Sequence, residues 1–331
     1  MQKLFTLLRE SAANTLTVCG ILFKLIIPIS IIMKIIKELG WISYIGDFLA
    51  PVMGVVGLPG SYGLVWATAM CTNIYGAMLV FSGIITSQPL TTAQVTVLGI
   101  MILVAHGLPV ESSVARKSGI RLRVSLVIRI GMAIAFGFIF YRVFNLFNLY
   151  NTEPVILWVP ENNAPGIAGW AAGELKNYAV MVVIIFSLIT GMKLLEKSGF
   201  IGILVKILHP LLKILGIGEK AIPITIIGIV LGYAYGGGLI IQEAKSGRIT
   251  KKDLFYTIIF LSLCHSFIED SLLMVSIGSA ALPVFLGRFI LSYITCSVIV
   301  LLTRNMDYSL FIRLFFRPES GKSPNQAASE N

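Results

Sequence analysis

The sequence predicts an all-α polytopic membrane protein: about ten transmembrane helices forming two inverted five-helix repeats, with broken helices near the centre. Three observations carry this. The 331 residues are 56% hydrophobic and only 13% charged, where soluble domains run to about a quarter charged, and the mean hydropathy is +0.88. Ten long apolar segments follow one another with short polar breaks. The two halves also repeat each other at a constant offset. This composition excludes a disordered chain, a disulfide scaffold and a cytosolic enzyme.

The segments are 16–38, 41–57, 61–85, 92–110, 124–147, 177–195, 200–217, 221–243, 254–274 and 284–303. A bilayer core of about 30 Å takes roughly 20 apolar residues per helix, and helix is the expected form because open sheet edges cannot face lipid. The first segment is long and lacks a small-residue cleavage site, so it reads as a retained helix rather than a signal peptide. The four cysteines, Cys19, Cys71, Cys264 and Cys296, lie in apolar runs and read as reduced and structural. The division expected is a first repeat over 1–147, an external polar linker over 148–176, a second repeat over 177–305 and a cytoplasmic tail over 306–331. The linker holds Glu153, Glu161, Asn162, Asn163 and Glu174, and 318–331 reads as disordered.

Shifting the sequence by 159 superimposes Lys34 on Lys193, Pro51 on Pro210, His106 on His265, Ser112 on Ser271, Gly119 on Gly278 and Arg129 on Arg288, with Glu111 meeting Asp270. A one-residue slip aligns Tyr75-Gly76 with Tyr235-Gly236. Five crossings per repeat is an odd number, so the repeats must be inverted. With the N-terminus inside, sixteen Lys and Arg fall on inside segments and four outside, as basic residues concentrate in cytoplasmic loops. Treating 41–57 and 200–217 as in-plane helices gives four crossings per half, parallel repeats and eleven basic residues on each side. Ten crossings are therefore expected, with both termini cytoplasmic in a prokaryotic plasma or inner membrane. The net charge of +10 belongs to this topology, so no nucleic-acid partner is expected.

Three constellations could carry chemistry. The first is His106-Gly-Leu-Pro-Val-Glu111-Ser112 with its repeat His265-Ser-Phe-Ile-Glu269-Asp270-Ser271. Ionisable groups at membrane depth are costly and face a cavity or each other. His265 and Glu269 stand at i, i+4 on one helix face, and Pro109 should break the first copy. Histidine titrates near neutral pH, so a coupling proton or cation is expected here. Two His and three carboxylates are competent metal ligands, but no tight ligand spacing supports a metal, and no metal or other cofactor is expected. The bland alternative is that these groups only satisfy one another.

The second constellation pairs Asn73, Tyr75 and Gly76 with Tyr235, Gly236, Gly237 and Gly238, followed by Gln242 and Glu243. Consecutive glycines suggest an unwound helix offering backbone groups to a substrate, or close helix packing; Glu243 could be merely interfacial. The third is the pair Arg129 and Arg288, placed by inversion towards opposite membrane faces. Each could pair with the acid of its own repeat, bind an anionic substrate or snorkel to headgroups. His209, beside Pro210 on an amphipathic segment, reads as interfacial. No Gly-x-x-x-x-Gly-Lys-Ser/Thr stretch is present, so this chain holds no ATP engine of that kind.

The stretch Cys264-His-Ser-Phe-Ile-Glu-Asp-Ser-Leu-Leu-Met-Val-Ser-Ile-Gly278, with Tyr-Gly-Gly-Gly-Leu at 235–239, resembles the signature of the nucleoside recognition, or Gate, family. That family includes spore maturation proteins A and B and the gate segments of the bacterial ferrous iron transporter. It is similar more distantly to concentrative nucleoside transporters. The resemblance covers most of 15–305 and implies that His265, Glu269, Asp270 and Gly236 to Gly238 occupy motif positions. The first half departs from the pattern, with Pro109 and Glu111 in place of the Glu-Asp pair and a single Gly76 after Asn73. The GTPase of the iron transporter is missing, so iron transport is not carried over.

Together these readings point to a secondary transporter of a small polar or anionic organic solute, nucleosides among the classes, working by alternating access at the repeat interface. No enzyme activity is assigned. The alternatives are a non-transporting subunit or scaffold of a larger complex, and an intramembrane metal-dependent enzyme. Transport expects a cavity near the midplane lined from both halves, and a scaffold expects a packed centre with an exposed apolar face. The partners expected are the lipid bilayer and the solute, with homo-oligomerisation left open.

Overall fold

A computed structural model describes residues 2–157 and 166–318. The chain is helical: α1 (Gln2–Glu38), α2 (Trp41–Val55), α3 (Tyr62–Cys71), α4 (Ile74–Ile85), α5 (Thr92–Val104), α6 (Leu108–Lys117) and α7 (Leu122–Leu146) form the first half. The second comprises α8 (Gly166–Lys197), α9 (Phe200–Ile214), α10 (Ile222–Ser246), α11 (Lys251–Cys264), α12 (Glu269–Ser276) and α13 (Arg288–Thr303), whose entry is a π turn at Pro283–Gly287, followed by α14 (Tyr308–Phe315).

Among the described residues six stretches are long and apolar enough to cross a membrane: α1, α5 with α6, α7, α8, α11 with α12, and α13 with its π turn. The other apolar segments are not among them, so the expected ten crossings are not confirmed. Segment 61–85 is two helices that go in and come back. Both ends lie at one end of the bundle, since Ser61 and Tyr62 donate to Gln88, while the tip at Ala69–Thr72 reaches Gly107 deep in the protein. Segment 221–243 does the same from the opposite end. Gly218 N–H donates to Asp253 at 2.8 Å and Thr225 meets Thr257 at 3.0 Å. The far end of α10 leads through Gly247 directly into Thr250, the N-cap of α11. Between them α10 breaks at Gly232, whose φ of 78° and ψ of −176° are open only to glycine. Helices α2 and α9 have 15 residues each, about 22 Å at 1.5 Å per residue, short of a hydrocarbon core of about 30 Å.

The two halves run in opposite directions. Thr92 at the start of α5 meets Thr152, just past α7, and Thr96 near that start receives Ala280 N–H, just past α12. The end of α6 and the start of α7 meet the end of α14 and the chain after it, where Arg121 N–H donates to Phe315 O and Arg317 N–H to Gly119 O. At that same end Lys252, opening α11, donates to Arg304 O, closing α13. So α5 with α6 and α11 with α12 are antiparallel, and each half holds three of the six candidate spans, also an odd number. Equivalent N-caps support the repeat: Thr91 caps α5 and Thr250 caps α11. So do two cavities at opposite ends, about 180 Å³ around Gly57, Gln94 and Tyr141 and about 590 Å³ around Gly216, Asp253 and Arg304.

Burial sorts the crossings. The spans of α5–α6 and α11–α12 are 83% and 72% buried in the protein, whereas those of α1 and α8 are 19% and 11%. The broken helices are therefore the core, and α1 and α8 pack mainly on each other at the side. Lipid tails are as apolar as leucine, so close approach has to hold the core together. A Cβ on Gly228 would stand 2.6 Å from Leu261, and one on Gly287 2.5 Å from Phe140. Two boundaries shift from those expected. Helix α8 opens at Gly166, which moves buried Glu174 out of the linker and into a helix. The first part of the tail is folded, with Phe311 buried and Phe316 paired with Ile120. Glu161, Asn162, Asn163 and 319–331 lie outside the described residues.

Candidate functional site

Both broken helices break at the histidine. Helix α5 ends at Val104, His106 follows, and Gly107 takes φ 54°. Helix α11 ends at Cys264, His265 is extended, and Ser266 takes φ 43°. Pro109 is not the cause, because it sits in the first turn of α6, where its missing N–H costs nothing, and the second copy breaks without a proline. Each break is received by the tip of its own re-entrant hairpin: Gly107 N–H donates to Ala69 O at 2.8 Å and Phe267 N–H to Ile229 O at 2.8 Å. Inversion brings the two breaks face to face.

At their meeting point the rings of His106 and His265 lie 5.0 Å apart, with Nε2 to Nε2 at 3.3 Å. Glu111 Oε1 stands 3.3 Å from each of these nitrogens. Asp270 Oδ2 is 3.6 Å from His106 Nε2. All four residues are buried. Each Nδ1 faces the carbonyl four residues back, His106 to Ile102 at 3.0 Å and His265 to Leu261 at 2.8 Å. The i, i+4 reading of His265 and Glu269 does not hold, since the helix is interrupted between them. Glu269 instead hydrogen-bonds Tyr75 from the opposite repeat. Ser112 and Ser271 are buried with hydroxyls that find no partner among the described residues.

Arg129 and Arg288 are fully buried and reach the same central layer, not opposite faces. Arg129 donates to Val104 O at 3.0 Å and His106 O at 2.9 Å, and meets Glu111 Oε2 at 2.6 Å. Arg288 donates to Leu263 O at 3.0 Å, His265 O at 2.9 Å and Leu103 O at 3.3 Å. Each guanidinium thus caps carbonyls freed where a helix stops, against the negative end of that helix dipole. The expected acid pairing is made by Arg129 with Glu111. For Arg288 no carboxylate lies within ion-pair distance among the described residues.

The glycine constellation is displaced. Asn73 caps α4, its side chain accepting from Gly76 N–H at 2.9 Å, and Gly76 is packed against Thr72 and Ile29. In the second repeat the break falls at Gly232, whereas Gly237 and Gly238 are helical. The surroundings of Tyr235 and Gly236 lie outside the described residues. Gln242 is exposed, and Glu243 pairs with Arg248 near the start of α11, far from the centre. His209 pairs with Glu219 at 3.2 Å, half-exposed at the bundle end, as an interfacial residue would. Gly107, Gly232 and Ser266 escaped the sequence reading. Gly107 beside His106 carried a usable signal, but a serine with positive φ carries none.

Residues 20–121 match the family model described as Gate, nucleoside recognition. The match falls on the first repeat, although the motif that suggested the family is most complete in the second. An uncharacterised membrane protein, YvoD of Bacillus subtilis (strain 168), is 26% identical over 270 residues, covering 80% of this chain and 85% of that protein. No solved structure matches. The chain is thus a membrane protein whose residues 20–121 are similar to the Gate, or nucleoside recognition, domain.

Proposed function

We propose that the protein is a secondary transporter of a small polar or anionic organic solute, with nucleosides among the classes to test. One observation carries this reading: inverted re-entrant hairpins end against the broken centres of two antiparallel crossing helices, around a buried polar cluster drawn from both repeats. Broken helices at equivalent places in two repeats are where transporters bind solute, and buried polar groups at that depth are costly unless used. The unpartnered hydroxyls of Ser112 and Ser271 supply hydrogen-bonding capacity there. The cluster's side chains are buried, so passage requires the hairpins to move against the crossings. The basic end, with 116–123, 245–252 and the chain after α13, faces the cytoplasm by the positive-inside rule, which places both termini there.

The burial of the whole cluster favours a second reading, a non-transporting subunit of a complex. Uptake of radiolabelled nucleosides and small organic anions into proteoliposomes separates the two. Transport expects saturable uptake abolished by Asp270→Asn, together with a melting temperature raised by the same solute. No uptake and no thermal shift across the panel would favour the subunit.

A further inference from the structure

The facing histidines pose a problem of proton count. Each Nδ1 lies on a backbone carbonyl, at 3.0 and 2.8 Å, and a carbonyl only accepts, so each Nδ1 carries the ring hydrogen. Both Nε2 atoms of the neutral rings then present lone pairs to each other at 3.3 Å. Glu111 Oε1 adds a third acceptor at 3.3 Å from both, and Asp270 Oδ2 a fourth, itself without a donor among the described residues. Three acceptors thus meet in a triangle with Asp270 Oδ2 beside His106, and no cationic side chain among the described residues is recorded between them.

The distances identify what fits. In a tetrahedral site the ligand-to-ligand edge is about 1.6 times the metal–ligand bond, so bonds of about 2.0–2.1 Å give edges of about 3.3–3.4 Å. The two Nε2 and Glu111 Oε1 form a triangle with every side 3.3 Å. Asp270 Oδ2 stands 3.6 Å from His106, and His106, His265 and Asp270 offer ligand atoms all within 4.8 Å of one another. We propose that His106 and His265, with Asp270 within 4.8 Å of both and Glu111 beside both rings as the available carboxylates, form a site for one divalent transition ion of the zinc class shared by the two repeats. Imidazole and carboxylate suit such ions, and the hydrogen bonds that fix each Nδ1, with Arg129 on the free oxygen of Glu111, are the outer partners that orient metal ligands. An ion held there ties the inverted repeats together, whether or not any solute is moved.

Cobalt(II) is the probe, because tetrahedral coordination gives it strong visible bands that octahedral coordination does not. Metal-stripped protein in detergent, carrying His209→Ala to remove the surface histidine, should bind one Co²⁺ per chain with a tetrahedral spectrum, melt at a higher temperature and lose the colour to Zn²⁺. His106→Ala and His265→Ala should abolish the bands. In case these fail to fold, Asp270→Cys keeps a ligand and should add a thiolate-to-cobalt charge-transfer band in the near ultraviolet. No stoichiometric binding, an octahedral spectrum, or an Asp270→Cys protein that binds cobalt without the new band would each overturn the site.

Discussion

The two repeats place the same residue types at the same depth but do not use them equally. In the first, Arg129 caps two carbonyls and holds Glu111 at 2.6 Å. In the second, Arg288 caps three carbonyls, one from the opposite repeat, and Asp270 Oδ2 has no donor among the described residues. The hairpin tips differ too. The first turns through an asparagine cap and the second through a left-handed glycine. The first repeat is thus the more closed, and the spare capacity of the centre lies on the second.

The largest effect should separate the two arginines. Arg129→Met strands a buried carboxylate as well as two carbonyls, at roughly 3–5 kcal/mol, and should cost most of the folded protein recovered in detergent. Arg288→Met strands carbonyls alone and should cost less. A double-mutant cycle of Arg129→Met with Glu111→Gln should show strong coupling, and one of Arg288→Met with Asp270→Asn much weaker coupling. Equal couplings, read by thermal unfolding, would erase the asymmetry.

The glycines come next. Gly232→Ala forces a side chain into backbone space costing about 1–3 kcal/mol and puts Cβ 2.1 Å from Ser266 Oγ, which must swing away. Gly107→Ala meets Glu111 Oε1 at 3.1 Å with φ 54°, at a cost of about 1–2 kcal/mol. Melting temperatures should rank wild type, Gly107→Ala, Gly232→Ala, and the reverse order of the two variants would place the strained turn wrongly. The smallest effect lies outside the membrane. Asp307 caps α14, and the Ser309 hydroxyl, then the Leu310 N–H, lower its carboxyl below the ordinary 3.8. A depressed carboxyl contributes stability above its unfolded value that disappears as pH falls through its folded value. Docking of α14 should therefore weaken only below pH 3.8, and Asp307→Asn should remove that dependence, as followed by hydrogen exchange of the 308–316 amides.

Much of this centre was legible in the sequence. His106 and His265 at one offset, with Glu111 against Asp270 and Arg129 against Arg288, located the cluster before any fold was known. The crossing number was not legible, for a physical reason. An apolar run of 25 residues such as 61–85 satisfies the bilayer equally as one spanning helix or as two half-length helices returning to the same side. Only Thr72–Asn73 and Gly232 decide between them, and neither is a proline. Charge counting compared ten crossings with eight. It did not weigh six, in which Lys206, Lys213 and Lys220 join the basic end and only Lys34, Lys37, Arg142 and Lys176 lie towards the other. The contact of Tyr75 with Glu269 was equally hidden, because it depends on how two inverted halves meet.

The central claim is three crossings per inverted repeat with a re-entrant hairpin from each side, and one labelling experiment reads it directly. Single cysteines replace the exposed residues Ser87, Lys220 and Ser246 in a background whose native cysteines are changed to serine, and membrane-impermeant maleimide is applied to intact cells and to inverted vesicles. The fold described here expects Lys220→Cys and Ser246→Cys to label from the same side and Ser87→Cys from the opposite one. Labelling of position 220 from the side of position 87 would restore ten crossings, and labelling of positions 87 and 246 from one side would end the inverted arrangement.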